Sequence, residues 1–372
     1  MGERTMQALA FDKVLPWEGQ REAVIQKEDG NFYIQIKAEH AGKVAFRILE
    51  EEYPCKKLEN GCWELCLPMH EGIHYVQLLI DDVEVLTPLL PIGYGYSRPY
   101  NFVELPAADS DFYSIKEVPH GSVRQEIFYS TVTDAWERCM VYTPPQYETE
   151  DKEEFPVLYL QHGHGENEIG WSTAGRVNFI LDNLIAQEKA VPFIVVMNNG
   201  MVLSKDENGR DIVDYQLLEH RLLKDVIPFV EKKFRVKKEK EYRGMAGLSM
   251  GSAQTSIIAL KHPELFSYMG IFSGFMHDII GGSPLDMVER EPSKNEHLAL
   301  LDDVERFEAN FKVLFRAMGA EDQFFENFEG DDKMLEEKGI PHIRKVYPGI
   351  HDWNVWRKCI RDFAQLIFKE EK

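Results

Sequence analysis

The spacing of apolar residues changes character near residue 120. Before it, "FYIQIKA" (32–38), "KVAFRIL" (43–49), "CWELCLP" (62–68) and "IHYVQLLIDD" (73–82) alternate in period two or are rich in β-formers. Such alternation turns every second side chain to one face, as a half-buried strand requires. Gly, Asn and acidic turns separate these runs. Short strands at regular spacing predict a small all-β sandwich over residues 1–100. The stretch "TPLLPIGYGYSRPYNFVELPAADS" (87–110) is rich in Pro, Gly and Tyr. It is too aromatic for a loose linker and reads as a connector packing on both domains, with the connector itself placed at 101–117.

Beyond residue 120, "SVRQEIFYS" and "AWERCMVYTPP" predict an antiparallel pair, after which strands and helices alternate. "FPVLYLQHG" (155–163) and "PFIVVMNNG" (192–200) read as buried strands. Residues 177–188 and 215–234 carry helical spacing. "YRGMAG" reads as a strand, 252–261 as a helix, and "YMGIFSG", "FKVLFRAMG" and "HIRKVYPG" as further strands. Trp356, Cys359, Ile360, Phe363 and Ile367 recur at helical spacing and close the chain. Uniformly apolar strands alternating with helices predict a mostly parallel sheet covered on both faces. The predicted fold class is therefore α/β, with the parallel-sheet domain at 118–372.

That arrangement gives a context to "MAGLSMGSAQTS" (245–256), which holds the pattern G-x-S-x-G with Ser249 at its centre. The serine follows a strand and precedes a helix, as in the nucleophile elbow of an α/β-hydrolase, the fold expected for 118–372. A serine hydroxyl needs a base, and this fold supplies its acid and then its histidine downstream in chain order. Of the chain's 12 histidines, His262, His277, His297, His342 and His351 lie downstream. His262 follows the elbow helix and is expected to face solvent; His342 starts a strand, at the wrong end of a parallel sheet. His351, in "YPGIHDWNVW", lies past the last strand, on the edge where ligands gather. "FKVLFRAMGAEDQF" puts Glu321 and Asp322 at the end of the preceding strand, with Asp322 preferred and Glu321 the fallback. Asp302 and Asp303 come too early; Asp331 and Asp332 come too late and read as solvated charges. The predicted triad is Ser249, Asp322 and His351. The oxyanion donors are expected to be the backbone N–H groups of Met250 and, in "HGHGENEIGW", His164. His162 and His164 form an H-x-H pair without a carboxylate or Cys partner, so no metal and no cofactor is expected.

Composition narrows the partners. A chain of 372 residues suits two domains, and 44% hydrophobic residues suffice for a sizeable core. A formal charge of −21 argues against nucleic acid or an anionic membrane as partner. The 5 cysteines lack framework spacing and read as reduced structural thiols. The N-terminal stretch shows no apolar leader core, which reads as cytoplasmic, or as secreted or periplasmic if a leader has been removed.

"LQHGHGENEIGW", "GLSMGS" and "GIHDWNVW" together resemble carbohydrate esterase family 1, the feruloyl and acetylxylan esterases, with enterochelin-esterase-like proteins as neighbours. The similarity covers about residues 118–372. It implies an acyl-enzyme mechanism on Ser249, His351 and Asp322 with donors at Met250 and His164. It also implies a hydroxycinnamoylated or acetylated plant oligo- or polysaccharide, such as xylan, as substrate. One departure is visible, Ser252 where relatives commonly have a second glycine. The N-terminal region, through "NGCWELCLPMHEGIHYVQLLIDD", is similar to the early-set immunoglobulin-like modules attached to such esterases and to glycogen-branching enzymes. Packing beside the active site is the expected role for it. The loop at 275–296 is expected to form one wall of an acyl pocket. Phe275, Met276, Trp171 and Trp353 are the candidate contacts for a phenolic acyl group. Acetylxylan esterase, siderophore esterase and non-catalytic glycan-binding protein stay open as alternatives, as does a homo-oligomer.

Overall fold

The computed structural model describes residues 23–150, 152–206, 208–277 and 295–369. The N-terminal leader question and most of the 275–296 loop lie outside them. The chain divides into two compact units, Met1–Asp111 and Phe112–Lys372.

The first unit is all-β. One sheet joins Val24–Gln26, Phe32–Lys37, Cys62–Cys66 and Lys56–Lys57. The other runs Glu51–Pro54, Val44–Ile48, Gly72–Ile80, Arg98–Leu105 and Ile92–Gly95. Ile34, Ile36, Val44, Phe46, Trp63, Val76, Leu78 and Val103 form one apolar cluster from both sheets, where the period-two pattern delivers its apolar half. The expected connector differs: Arg98–Leu105 pairs antiparallel with Gly72–Ile80, Phe102 opposite Tyr75. Prolines and glycines masked this strand. What holds it is Asn101, buried at 1% exposure. Its side chain takes the Thr87 N–H at 2.8 Å and donates to the Thr87 and Leu90 carbonyls. One side chain thus satisfies the Thr87 N–H and the Thr87 and Leu90 carbonyls of the irregular 87–91 segment.

The second unit holds an eight-stranded sheet. Its strands are β1 (Ser122–Ser130), β2 (Ala135–Thr143), β3 (Val157–Gln161), β4 (Ile194–Asn198), β5 (Arg243–Leu248), β6 (Tyr268–Phe272), β7 (Val313–Gly319) and β8 (Ile343–Tyr347). Spatial order is β1-β2-β4-β3-β5-β6-β7-β8. The β1–β2 and β2–β4 contacts are antiparallel, and every pair from β4 to β8 is parallel. Strands β3 to β6 are buried at every position, which explains their unbroken apolar runs. Four helices matter for the site: α1 (Val177–Ala186), α2 (Met250–Lys261), α3 (Phe325–Glu337) and α4 (Trp353–Ala364). The α/β-hydrolase expectation holds for this unit. The helix expected at 215–234 is interrupted by a π-helical stretch, Leu222–Val226.

Helix α3 corrects the reading of Asp331 and Asp332 as solvated charges. Both are buried, at 2% and 5% exposure. Arg316, at the centre of β7 and fully buried, binds Asp332 and reaches Asp331 at 3.4 Å. Asp331 also accepts the Met276 N–H at 2.7 Å. A guanidinium inside a sheet demands a buried counter-charge, and α3 brings two.

Candidate active site

Ser249 sits between β5 and α2 with φ 51 and ψ −120. For a non-glycine residue this is a strained conformation. The two glycines of the motif are packing requirements. A Cβ on Gly247 would lie 2.2 Å from the Gly251 carbonyl oxygen, and one on Gly251 2.5 Å from that of His162. The Ser249 N–H donates to the Phe272 carbonyl at 3.0 Å. The elbow is therefore held by backbone on both sides.

Ser252 now has an explanation. Its hydroxyl donates to the Ser249 carbonyl at 2.5 Å and accepts the Phe275 N–H at 3.0 Å. A Cβ on Gly274 would fall 1.6 Å from this oxygen. The serine fills the space over Gly274 and ties the elbow to the turn after β6.

Asp322 follows β7 and His351 follows β8, so both stand with Ser249 at the C-terminal edge of the parallel strands. His351 Nδ1 lies 2.8 Å from Asp322 Oδ2. The buried Asp322 accepts the Phe324 N–H at 3.0 Å through Oδ1. Both oxygens are thus engaged and the carboxylate is fixed. An Nδ1–H donated to Asp322 leaves Nε2 as the basic nitrogen. The His351 ring is flanked edge-on by Phe324 and Trp356, each with centroids 5.2 Å away. Glu321, the fallback acid, is engaged elsewhere. Its carboxylate accepts the Gly349 N–H at 2.6 Å and braces the turn before His351. The other downstream histidines have partners of their own. His262 meets Glu219 at 3.0 Å instead of facing solvent, His277 meets Asp331 and His297 the Met276 carbonyl. His342 meets the Ile340 carbonyl at 3.0 Å.

After β3 the chain turns across the elbow. The Glu166 N–H donates to the Gly163 carbonyl at 3.3 Å, closing a turn around His164 and Gly165, whose φ is 76. A Cβ on Gly163 would stand 3.3 Å from Ser249 Cβ. His162 anchors this loop. Its Nε2 accepts the Gly200 N–H at 2.8 Å. Nδ1 therefore carries the proton and donates to the Gly163 carbonyl at 2.7 Å. Burial pushes its pKa down to about 4, keeping the ring neutral. His164 is exposed, with Nδ1 2.7 Å from the Tyr215 hydroxyl. The two imidazoles serve different partners and do not converge. The Met250 N–H opens α2 at the helix's positive end, and no chain acceptor meets it among the described residues.

The four expected substrate contacts are buried side chains. Trp171, Trp353, Phe275 and Met276 are 1%, 3%, 3% and 0% exposed. Trp171 donates to the Gln161 carbonyl at 2.9 Å and meets Trp353 edge-on; Met276 belongs to the main apolar cluster. Aromatic and sulfur side chains near a site are first of all good fillers, and here they fill. Phe324, which sequence reasoning passed over, is the half-buried aromatic beside His351. Its closeness in the chain to Asp322, in "EDQFF", was the available signal.

Similarity to known proteins agrees with this geometry. The Esterase family model matches residues 130–364. The chain belongs to this esterase family. An endo-1,4-beta-xylanase/feruloyl esterase of Xylanibacter ruminicola is 34% identical over 324 residues, covering 84% of this chain and 41% of that protein. The chain thus spans about two-fifths of that relative's length, 41%. Among solved structures, a CE1 ferulic acid esterase from Anaeromyces mucronatus in complex with ferulic acid is similar at TM-score 0.59. It is 22% identical and covers 70% of this chain and 96% of its own. The enterobactin esterase of Shigella flexneri is similar at TM-score 0.60, 14% identical, covering 92% and 94%. These two establish the shared fold. No helix among the described residues is long and apolar enough to cross a membrane.

Proposed function

We propose that this chain is a serine carboxylester hydrolase that releases ferulic or related hydroxycinnamic acids from plant cell-wall polysaccharide. The observation that carries the chemistry is the strained Ser249 elbow on the same sheet edge as a His351 whose Nδ1 is committed to buried Asp322. In this reading His351 Nε2 takes the proton of Ser249 as its oxygen attacks the ester carbonyl. The N–H groups of Met250 and His164 hold the oxyanion. His351 then protonates the leaving sugar hydroxyl, and water, activated the same way, releases the acid and restores the serine.

The acyl preference rests on the name of the Xylanibacter relative and on Phe324, an aromatic edge beside His351 against which a phenolic ring would pack. The test is a hydrolysis panel of methyl ferulate, other hydroxycinnamate esters and an acetyl ester, with Ser249→Ala as control. Turnover of ferulate well above acetate, abolished in the variant, is the expected result. Equal or greater acetate turnover overturns the acyl assignment; turnover surviving in the variant overturns the nucleophile.

A further inference from the structure

The loop after β3 carries a carboxyl group that the acyl-transfer steps do not use. Glu166 is 7% exposed, and its Oε2 is buried with no hydrogen-bond partner among the described residues. It sits beside the Cα of Gly170, whose added Cβ would lie 3.6 Å from Oε2 and 3.3 Å from the Trp353 ring. The Glu166 backbone N–H closes onto the Gly163 carbonyl at 3.3 Å, and the Trp353 indole N–H is, like Oε2, buried without a hydrogen-bond partner among the described residues. Gly163 belongs to the backbone facing Ser249, and Trp353 to the helix that begins just after His351. The titratable or charged groups on the surrounding elements are His162, His164 and Glu168 on its own loop, and His351, Asp352 and Arg357 on α4 and its lead-in. None of them acts on the carboxyl closely enough to shift it.

An ionised carboxylate with one oxygen buried and unpaired is costly, whereas the neutral acid leaves a much smaller deficit. We propose that Glu166 is a positioning residue, a neutral buried carboxyl that couples the oxyanion loop at Gly163 to Trp353 on the His351 side of the site. Ionisation places an uncompensated charge in this seam and loosens the loop that presents the His164 N–H. Burial raises the Glu166 pKa to about 8, so the loosening falls on the alkaline side of neutrality.

The coupling rests on the esterase reading for its kinetic arms, and a spectroscopic arm is independent of it. In the inactive Ser249→Ala protein, infrared difference spectra against Ser249→Ala/Glu166→Gln are expected to show a protonated-carboxyl band at pH 6.5 that fades near pH 8. Absence of that band at pH 6.5 overturns the proposal whether or not the protein is an esterase. With 4-nitrophenyl acetate, kcat is expected to fall on an alkaline limb. Glu166→Gln moves that limb by more than about one pH unit. Glu166→Ala lowers kcat roughly 10- to 100-fold with KM little changed. A Glu166→Gln limb superimposed on the wild-type one overturns the proposal, and this variant keeps the test intact should Glu166→Ala fail to fold.

Discussion

Asp322 and Asp332 both lie between β7 and β8, and both are buried, yet their fates diverge. Asp322 faces the imidazole of His351, which is one-fifth exposed, at 19%. Asp332 faces Arg316, permanently charged and fully enclosed, with Arg344 on its other oxygen at 2.6 Å. One carboxylate holds an imidazole at the sheet edge; the other neutralises a charge within the sheet. Burial alone therefore does not mark a functional acid. What separates Asp322 from Asp332 is its place at the C-terminal edge of the parallel strands, the edge that also carries Ser249.

Substitutions can break this contrast. Ser249→Ala is expected to lower kcat by roughly 10⁶ with an unchanged melting curve, since removing the nucleophile removes the whole covalent route. Asp322→Asn should lower kcat by about 10⁴ while stability changes little, because the amide favours the wrong imidazole tautomer. If Asp322→Asn kept most activity, the acid assignment would fall and Glu321 would be next to test. Asp332→Ala should do the converse. It leaves Arg316 only the more distant Asp331, at 3.4 Å, as counter-charge and costs about 3–5 kcal/mol in urea unfolding, with kcat per folded molecule within a few-fold of wild type. Ser252→Gly, which restores the residue common in relatives, removes two hydrogen bonds and is expected to cost about 1–3 kcal/mol; an unchanged unfolding midpoint would show that the latch contributes nothing.

The smallest effects are in pH. Asp331 raises the pKa of His277 above its ordinary value. A raised histidine contributes stability that is complete below its unfolded pKa and lost as pH rises through the folded one. Unfolding free energy should therefore drop across that window in wild type and stay flatter in His277→Gln. Glu166 has the opposite chemistry and the same sign. A carboxyl with a raised folded pKa binds its proton more tightly in the native state, so stability declines from the ordinary glutamate range up to about 8. Urea midpoints at pH 5, 7 and 9 for both variants check the two terms separately.

Much of the hydrolase unit was legible because its signals are local. Buried parallel strands read as apolar runs, and the elbow's glycines are demanded by backbone atoms a few residues or one strand away. Chain order then pointed to Asp322 and His351. The strand at Arg98–Leu105 was illegible because Pro and Gly outweighed its pattern, while the side chain that stabilises it, Asn101, acts through a loop more distant in sequence. The four aromatic and sulfur candidates show a related limit of local signals: sequence tells that a side chain is large and apolar, but not which side of the β6 turn or of α4 it fills.

The sequence by itself determined the order of elements, the elbow and the chemistry available at its edge, since these follow from periodicity, glycine sterics and residue type. Tertiary structure alone decided which carboxylate meets His351, that Ser252 latches the turn after β6, and that one Glu166 carboxyl oxygen is buried unpaired beside Gly170. Those outcomes depend on which distant groups share a low-dielectric space, and the free energy of a charge or hydrogen bond there is set by its neighbours rather than by its place in the chain.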